Sequence, residues 1–175
     1  MNYNLKDGRV VELREVKVTD ATLLLLYFEK VNLESKFLIR EAGEFTFTVN
    51  DERKFIRRTL KSNNEHISVA FLGDELIGSI GFRSSHLKRI THRASLGMSV
   101  LKDYNNLGLG SIMMEYILKI AKETGKLKME LEVRSENVNA IHLYEKFGFE
   151  HEGRIKKGFF VDNEYLDLLK MGKWL

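Results

Sequence analysis

The stretch Asn105–Ser111, NNLGLGS, runs straight into IMMEYILKIAKETGK, so two glycines, Gly108 and Gly110, stand at the opening of a helix-like segment. A turn of this kind presents unpaired backbone N–H groups at the positive end of a helix. Glycine there lets a partner come close, because no Cβ stands in the way. A diphosphate suits such a nest. The alternative is a helix packed tightly on the strand before it, and a bare G-x-G is weak evidence by itself. Two nucleotide motifs are excluded. A dinucleotide fingerprint needs a third glycine where Met113 stands, and a P-loop needs Gly-Lys-Ser/Thr, which is missing. There is no cysteine, which removes thiolate metal sites, disulfides and a cysteine nucleophile. The histidines (His66, His86, His92, His142, His151) show no i, i+3 or i+4 pairing, so no metal site is expected.

The elements that must position this loop can be read from period and punctuation. RVVELREV, residues 9–16, alternates as a strand, and Thr19-Asp20 is a candidate cap for a helix over ATLLLLYFEKVN. NDERKFIRRTLKS is a second helix, starting at Asn50 or Asp51. HISVAFL and LIGSIGFRSS are strands joined by a tight turn at GDE. HRASLGMSVLKDY is a strand leading into the glycines. The following helix carries Ile112, Met113, Tyr116, Ile117 and Ile120 at helical spacing and stops at Gly125. KLKMELEVR is a strand with Leu127, Met129, Leu131 and Val133 on one face. VNAIHLYEKFGF is a short helix ending at Gly148, and the tail is two strands around Asp162-Asn163. No repeat, low-complexity tract or linker divides the chain, so residues 1–175 are expected to form one domain. The alternation of strands with helices implies a mixed sheet with helices on its faces.

Taken together, residues 93–149 resemble the GNAT superfamily of acyl-CoA-dependent N-acetyltransferases, whose signature is Arg/Gln-x-x-Gly-x-Gly/Ala at a strand-to-helix turn. NNLGLG supplies Gly108 and Gly110, with Asn105 in the Arg/Gln position. LEVRSENVNAIHLYEKFGF is similar to the L-x-V-x-x-x-N-x-x-A-I-x-L-Y-E-K-x-G-F pattern of the bacterial ribosomal-protein N-terminal (alanine) acetyltransferases, and GRIKKGFFVDNEYLDLLKM resembles their last two strands. The resemblance implies an α/β (α+β) fold: a mixed, mostly antiparallel sheet of about six to seven strands flanked by four helices. It implies acetyl-CoA as co-substrate, and roles position by position. Met98, Ser99 and Val100 would pair with the pantetheine arm. Asn105, Asn106, Leu107, Gly108, Leu109 and Gly110 would cradle the pyrophosphate. Asn137 would contact the cofactor, Tyr144 would protonate the departing thiolate, and Glu132 would act as base. It also implies a homodimer.

Elementary chemistry runs in the same direction. An alkyl ammonium with a pKa of about 10 must lose a proton before it can attack a thioester. The alternation in KMELEVR turns Glu130 and Glu132 away from the apolar face, so Glu132 either reaches a cleft or faces solvent. A phenol beside the leaving thiolate can supply its proton, although Tyr144, next to Leu143 and Phe147, could equally be an aromatic at the edge of the core. With no thiol to form an acyl-enzyme, direct transfer to a primary amine in a ternary complex is the simpler route. A small amine, a polyamine or a protein N-terminus could be the acceptor. Glu34, Glu41, Glu44, Phe45 and Phe47 are candidates to receive its charge. The rival from another class is a non-catalytic acyl-CoA-binding module on the same fold.

A hydrophobic fraction of 43%, a charged fraction of 30% and a net charge of +3 fit a soluble globular chain. The pI of about 9.0 leaves a basic nucleic-acid-binding domain as a third reading, but lysines and arginines are interspersed with acids, so no nucleic-acid partner is expected. The charged N-terminus is not a signal peptide, LLLL at 23–26 is too short to span a bilayer, and the lack of cysteine fits a cytoplasmic location. If the loop cradles a pyrophosphate, Asn105→Arg should tighten coenzyme A binding in low-salt calorimetry. An unchanged affinity would count against that placement.

Overall fold

The computed structural model describes residues 1–175. Strands β1 (Asn2–Asn4) and β2 (Val10–Glu15) form a hairpin, followed by a 3₁₀ turn over Val18–Asp20 and helices α1 (Ala21–Glu34) and α2 (Val49–Thr59). Then come β3 (Glu65–Leu72), β4 (Glu75–Ser84), β5 (Arg93–Val100), α3 (Leu109–Glu123), β6 (Lys128–Arg134), α4 (Val138–Lys146), β7 (Glu150–Val161) and β8 (Glu164–Trp174). All eight strands belong to one sheet in the order β1-β2-β3-β4-β5-β6-β8-β7, with every neighbouring pair antiparallel except β5–β6. The expected architecture is therefore present, with one strand more than the pattern suggested. Asn2–Asn4 is a polar three-residue edge strand whose sequence carries no alternation to announce it.

Several local expectations change. Helix α2 starts at Val49, not at Asn50 or Asp51: Thr48 is the cap, its Oγ1 accepting from Asp51 N at 3.2 Å while the Asp51 carboxylate accepts from Thr48 N. Asp20 does not cap α1 through its side chain. It instead accepts from Lys17 N at 2.7 Å and from both ends of the Arg14 guanidinium at 2.7 and 3.0 Å. The segment after β5 turns into a short 3₁₀ helix, Lys102–Tyr104, and does not extend the strand. On β6 the buried face is Met129, Leu131 and Val133. Leu127 precedes the strand and is exposed.

One core joins the layers. Buried Leu24, Tyr27 and Val31 bring α1 to one face of the sheet, and Leu109, Met113, Met114 and Ile117 bring α3 to the other. Each such side chain contributes on the order of 2 kcal/mol by leaving water. Gly78 on β4 lets α3 settle deeply, because a Cβ there would meet Met113 Sδ at 3.0 Å.

The sheet is interrupted between β5 and β6. Their parallel pairing covers only Arg93↔Lys128, Ala94↔Met129 and Ser95↔Glu130. At that closed end His92 O accepts from Leu127 N and Lys128 N, and Glu130 pairs with Arg93 and Lys128. Beyond it β5 follows β4 to Val100↔Gly78, while β6 follows β8 through seven registered pairs to Arg134↔Leu168. The two strands part, and the sheet opens between them.

Burial by itself would raise Asp20, but its bonds to Arg14 and Lys17 hold it below the ordinary 3.8. Its carboxylate therefore stabilises the fold above pH 3.8, and that contribution drains as the pH falls through the lowered value. Asp20→Asn should cost about 1–3 kcal/mol at neutral pH by urea denaturation. The gap to the parent protein should narrow as the pH falls below that range.

Candidate active site

From Leu96 onward one edge of β5 has no strand beside it, so its backbone amides and carbonyls at Gly97–Val100 face the opening. Such an edge can pair with an extended, amide-bearing ligand. Its side chains are committed elsewhere. Ser99 Oγ is 2.8 Å from the Tyr27 hydroxyl on α1, which ties the strand to the α1 side, and Met98 reaches under α3. Met98, Ser99 and Val100 are each half-buried.

At the far end of this edge the chain passes through Asn105, with Asn106 left-handed at φ +63°, to Gly108 at φ +90°, the cap of α3. Asn105 N donates to Lys102 O, and the first amide of α3 with a backbone acceptor is Ser111, on Gly108 O. The intervening N–H groups, Asn106 through Gly110, have no backbone partner. Five consecutive free donors at a positive helix end form a nest for an anion. The two glycines serve different ends. Gly108 is needed for its positive φ, whereas Gly110 is needed because a Cβ would lie 3.1 Å from Leu143 Cδ2 on α4. Gly108 thus serves the turn that frees the amides, and Gly110 serves close packing against α4.

Helix α4 starts at Asn137, whose Oδ1 accepts from Ala140 N at 3.3 Å. That side chain is first of all a helix cap, with its amide NH₂ left over for a ligand. About two turns on, the ring of Tyr144 packs against Phe149 with centroids 5.9 Å apart. Burial pushes its hydroxyl up to about 12, so the phenol stays protonated through the neutral range. The only sealed side-chain polar atoms without a partner belong to Glu52, so the unpartnered Tyr144 hydroxyl is not wholly shut off from solvent although the residue is buried. Tyr144 is therefore both a core-edge aromatic and an accessible donor. Glu132 lies on β6 past the parting point, exposed and without an ion pair. Through the register Ser95↔Glu130 it shares the sheet face of Ser95 and Ser99, the α1 side, whereas Tyr144 comes from the α4 side. The two groups thus flank the opening from opposite faces.

The connection between α1 and α2 covers the α1 side. Arg134, at the end of β6, is buried; its Nη1 donates to Lys36 O, and its guanidinium lies 5.1 Å from the Phe37 ring and 5.2 Å from the Phe159 ring. Lys36 adds an ion pair to Asp162 on the β7–β8 turn at 2.5 Å. Phe28, Phe45 and Phe47 continue as a chain of rings with centroids 5.3 and 5.1 Å apart, beside a groove of about 210 Å³. The expected cation site is partly taken. Arg40 sits over Phe45, Glu34 accepts from Lys102 N at 2.8 Å, and Glu44 accepts from Glu41 N at 2.9 Å. Sequence reading missed Arg134 and also Glu52, which is buried in the first turn of α2 and pushed up to about 7 by burial. A charged residue inside a strand or helix pattern gives no sign of burial.

Comparison with known proteins places this geometry. Residues 35–149 match the model of the acetyltransferase (GNAT) family. The chain is 27% identical over 113 residues to N-alpha-acetyltransferase 50 of Danio rerio, spanning 64% of this chain and 67% of that protein. It is 28% identical over 170 residues to an N-alpha-acetyltransferase of Sulfurisphaera tokodaii, spanning 91% of each. A GNAT-family acetyltransferase structure from Streptococcus pneumoniae superposes with a TM-score of 0.92 at 29% identity, covering 94% of this chain and 99% of that one.

Arg134 pins the α1–α2 connection to the sheet, so Arg134→Ala should release it. Hydrogen exchange at residues 35–48 should accelerate about tenfold or more, while β4 amides keep their protection. Uniform loss of protection across both regions would show that Arg134 holds the whole fold, not this connection.

Proposed function

Because the chain belongs to the acetyltransferase (GNAT) family and is an acetyl-CoA-dependent N-acetyltransferase, we propose that it passes the acetyl group directly to the α-amine of a protein or peptide N-terminus. Acetyl-CoA supplies an acyl group already activated as a thioester. The observation that carries the reading is the opening between β5 and β6, with five free amides at one end and Tyr144 and Glu132 on its two faces. In this reading the Gly97–Val100 edge aligns the pantetheine amides, and the Asn106–Gly110 nest holds the diphosphate.

Glu132, directly or through a water, takes the proton that the incoming ammonium must lose. The new N–C bond forms as the C–S bond breaks, and Tyr144 Oη delivers a proton to the sulfur. An α-amine, with a pKa of about 8, needs far less help than a lysine side chain at about 10. That suits a carboxylate as exposed as Glu132. The N-alpha-acetyltransferase relatives support this acceptor class. No helix is long and apolar enough to cross a membrane. A cytoplasmic location and a homodimer are part of the proposal and follow from the family resemblance.

The test is thiol release from acetyl-CoA over a panel of peptides with free N-termini, spermidine and amino acids. Peptide-dependent release is expected, with kcat about a hundredfold lower in Tyr144→Phe throughout roughly pH 6–9, the scale of a lost general acid. Binding of acetyl-CoA without release on any acceptor would favour a non-catalytic acyl-CoA sensor. Preference for spermidine would reassign the acceptor, and an unaltered rate in the variant would remove Tyr144 from the chemistry.

A further inference from the structure

The nest at Asn106–Gly110 opens with Asn105, a short neutral side chain, although its proposed ligand is a dianion. Positive charge reaches it from elsewhere in the chain. The β1–β2 connection lies against the loop: Lys6 N donates to Leu107 O at 3.0 Å, and the stem of Lys6 covers Gly108. A Cβ on Gly108 would be 3.6 Å from Lys6 Cγ and 3.8 Å from Lys6 Cε. That connection is itself closed. Leu5 N donates to Arg9 O, Gly8 N donates to Leu5 O, and the Leu5 side chain is buried, so Lys6 is carried on a fixed turn. Of the other charges nearby, Arg9 is paired with Asp7 and lies over Tyr104, while Lys146 Nζ stands 3.5 Å from Ser111 Oγ in the first turn of α3. No carboxylate lies within ion-pair distance of Lys6, and its side chain is exposed.

We propose that Lys6 is a coenzyme A-binding residue, a cation supplied by the N-terminal hairpin to a phosphate of the ligand held at the α3 start. A lysine bound to a phosphate is a point charge on a flexible stem, so backbone position, and not side-chain geometry, decides whether it can serve. Here the hydrogen bond from its own N–H to the loop sets that position. The inference rests on the pyrophosphate reading of the loop, and the experiment separates the two.

Acetyl-CoA binding would be measured by calorimetry at low salt for the parent protein, Lys6→Ala, Lys6→Gln and Lys61→Ala, an exposed charge-matched control just past the end of α2. Both Lys6 variants should weaken binding about two- to fivefold, as expected for one solvent-exposed charge contact. Lys61→Ala should not. The loss should shrink at about 1 M salt, where the screening length is roughly 3 Å. Repeating the titration with dephospho-CoA identifies the group. A loss that persists assigns Lys6 to the diphosphate, and one that disappears assigns it to the 3′-phosphate. Equal affinity in the parent and both Lys6 variants would overturn the proposal while leaving the nest intact. Failure of the parent protein to bind acetyl-CoA would overturn both readings.

Discussion

The parting of β5 and β6 after Ser95↔Glu130 is the constraint on which the rest depends. A strand in the middle of a sheet normally has both edges paired, since unpaired buried amides and carbonyls cost free energy. Here β6 is held by β8 along its whole length, and β5 is held by β4 along its whole length, so neither can close the gap without losing an established ladder. The result is a strand edge left open within the body of the sheet, which water or an amide-bearing ligand must satisfy. Both proposed proton-handling groups take their places from this opening. Glu132 is the second residue beyond the last β5–β6 pair, and Tyr144 is brought in by the helix that follows β6.

The charge around the loop is distributed in an unusual way. The nest itself is backbone, and its donors depend on the φ angles of Asn106 and Gly108, not on side-chain identity. This is why Asn105 can occupy a position where the family pattern carries Arg or Gln. Lys146, at the end of α4, adds a further cation 3.5 Å from Ser111 Oγ in the first turn of α3. On the proposed reading, cations approaching from separate elements would tie ligand affinity to how the hairpin and α4 are docked.

The acceptor side is built differently. Its frame is a long connection fastened at Arg134 and Lys36, with rings and buried charge where a regular element would have an apolar stripe. Arg40 over Phe45 shows that the aromatic surface already holds one internal cation.

The order of elements, the glycine loop, the terminal hairpin turn at Asp162-Asn163 and the buried faces of α3 and β6 were legible in the sequence. Each rests on local rules: hydrophobic period, positive-φ residues and chain-breaking glycines. Strand Asn2–Asn4, the Thr48 cap and the exposure of Leu127 were not legible, because each is decided by what the segment docks against. At the site, motif spacing singled out Gly108, Gly110, Asn137 and Tyr144, but only the tertiary structure shows that Gly110 clears Leu143, that Asn137 caps α4 and that the Tyr144 hydroxyl is left without a partner. Lys6 and Arg134 lie far along the chain from what they touch, at Gly108 and Lys36 respectively. Sequence determines which chemistry each residue carries. Long-range packing alone decides which of those residues meet, since a charge or a phenol acquires its solvent and its neighbours only when distant segments close around it.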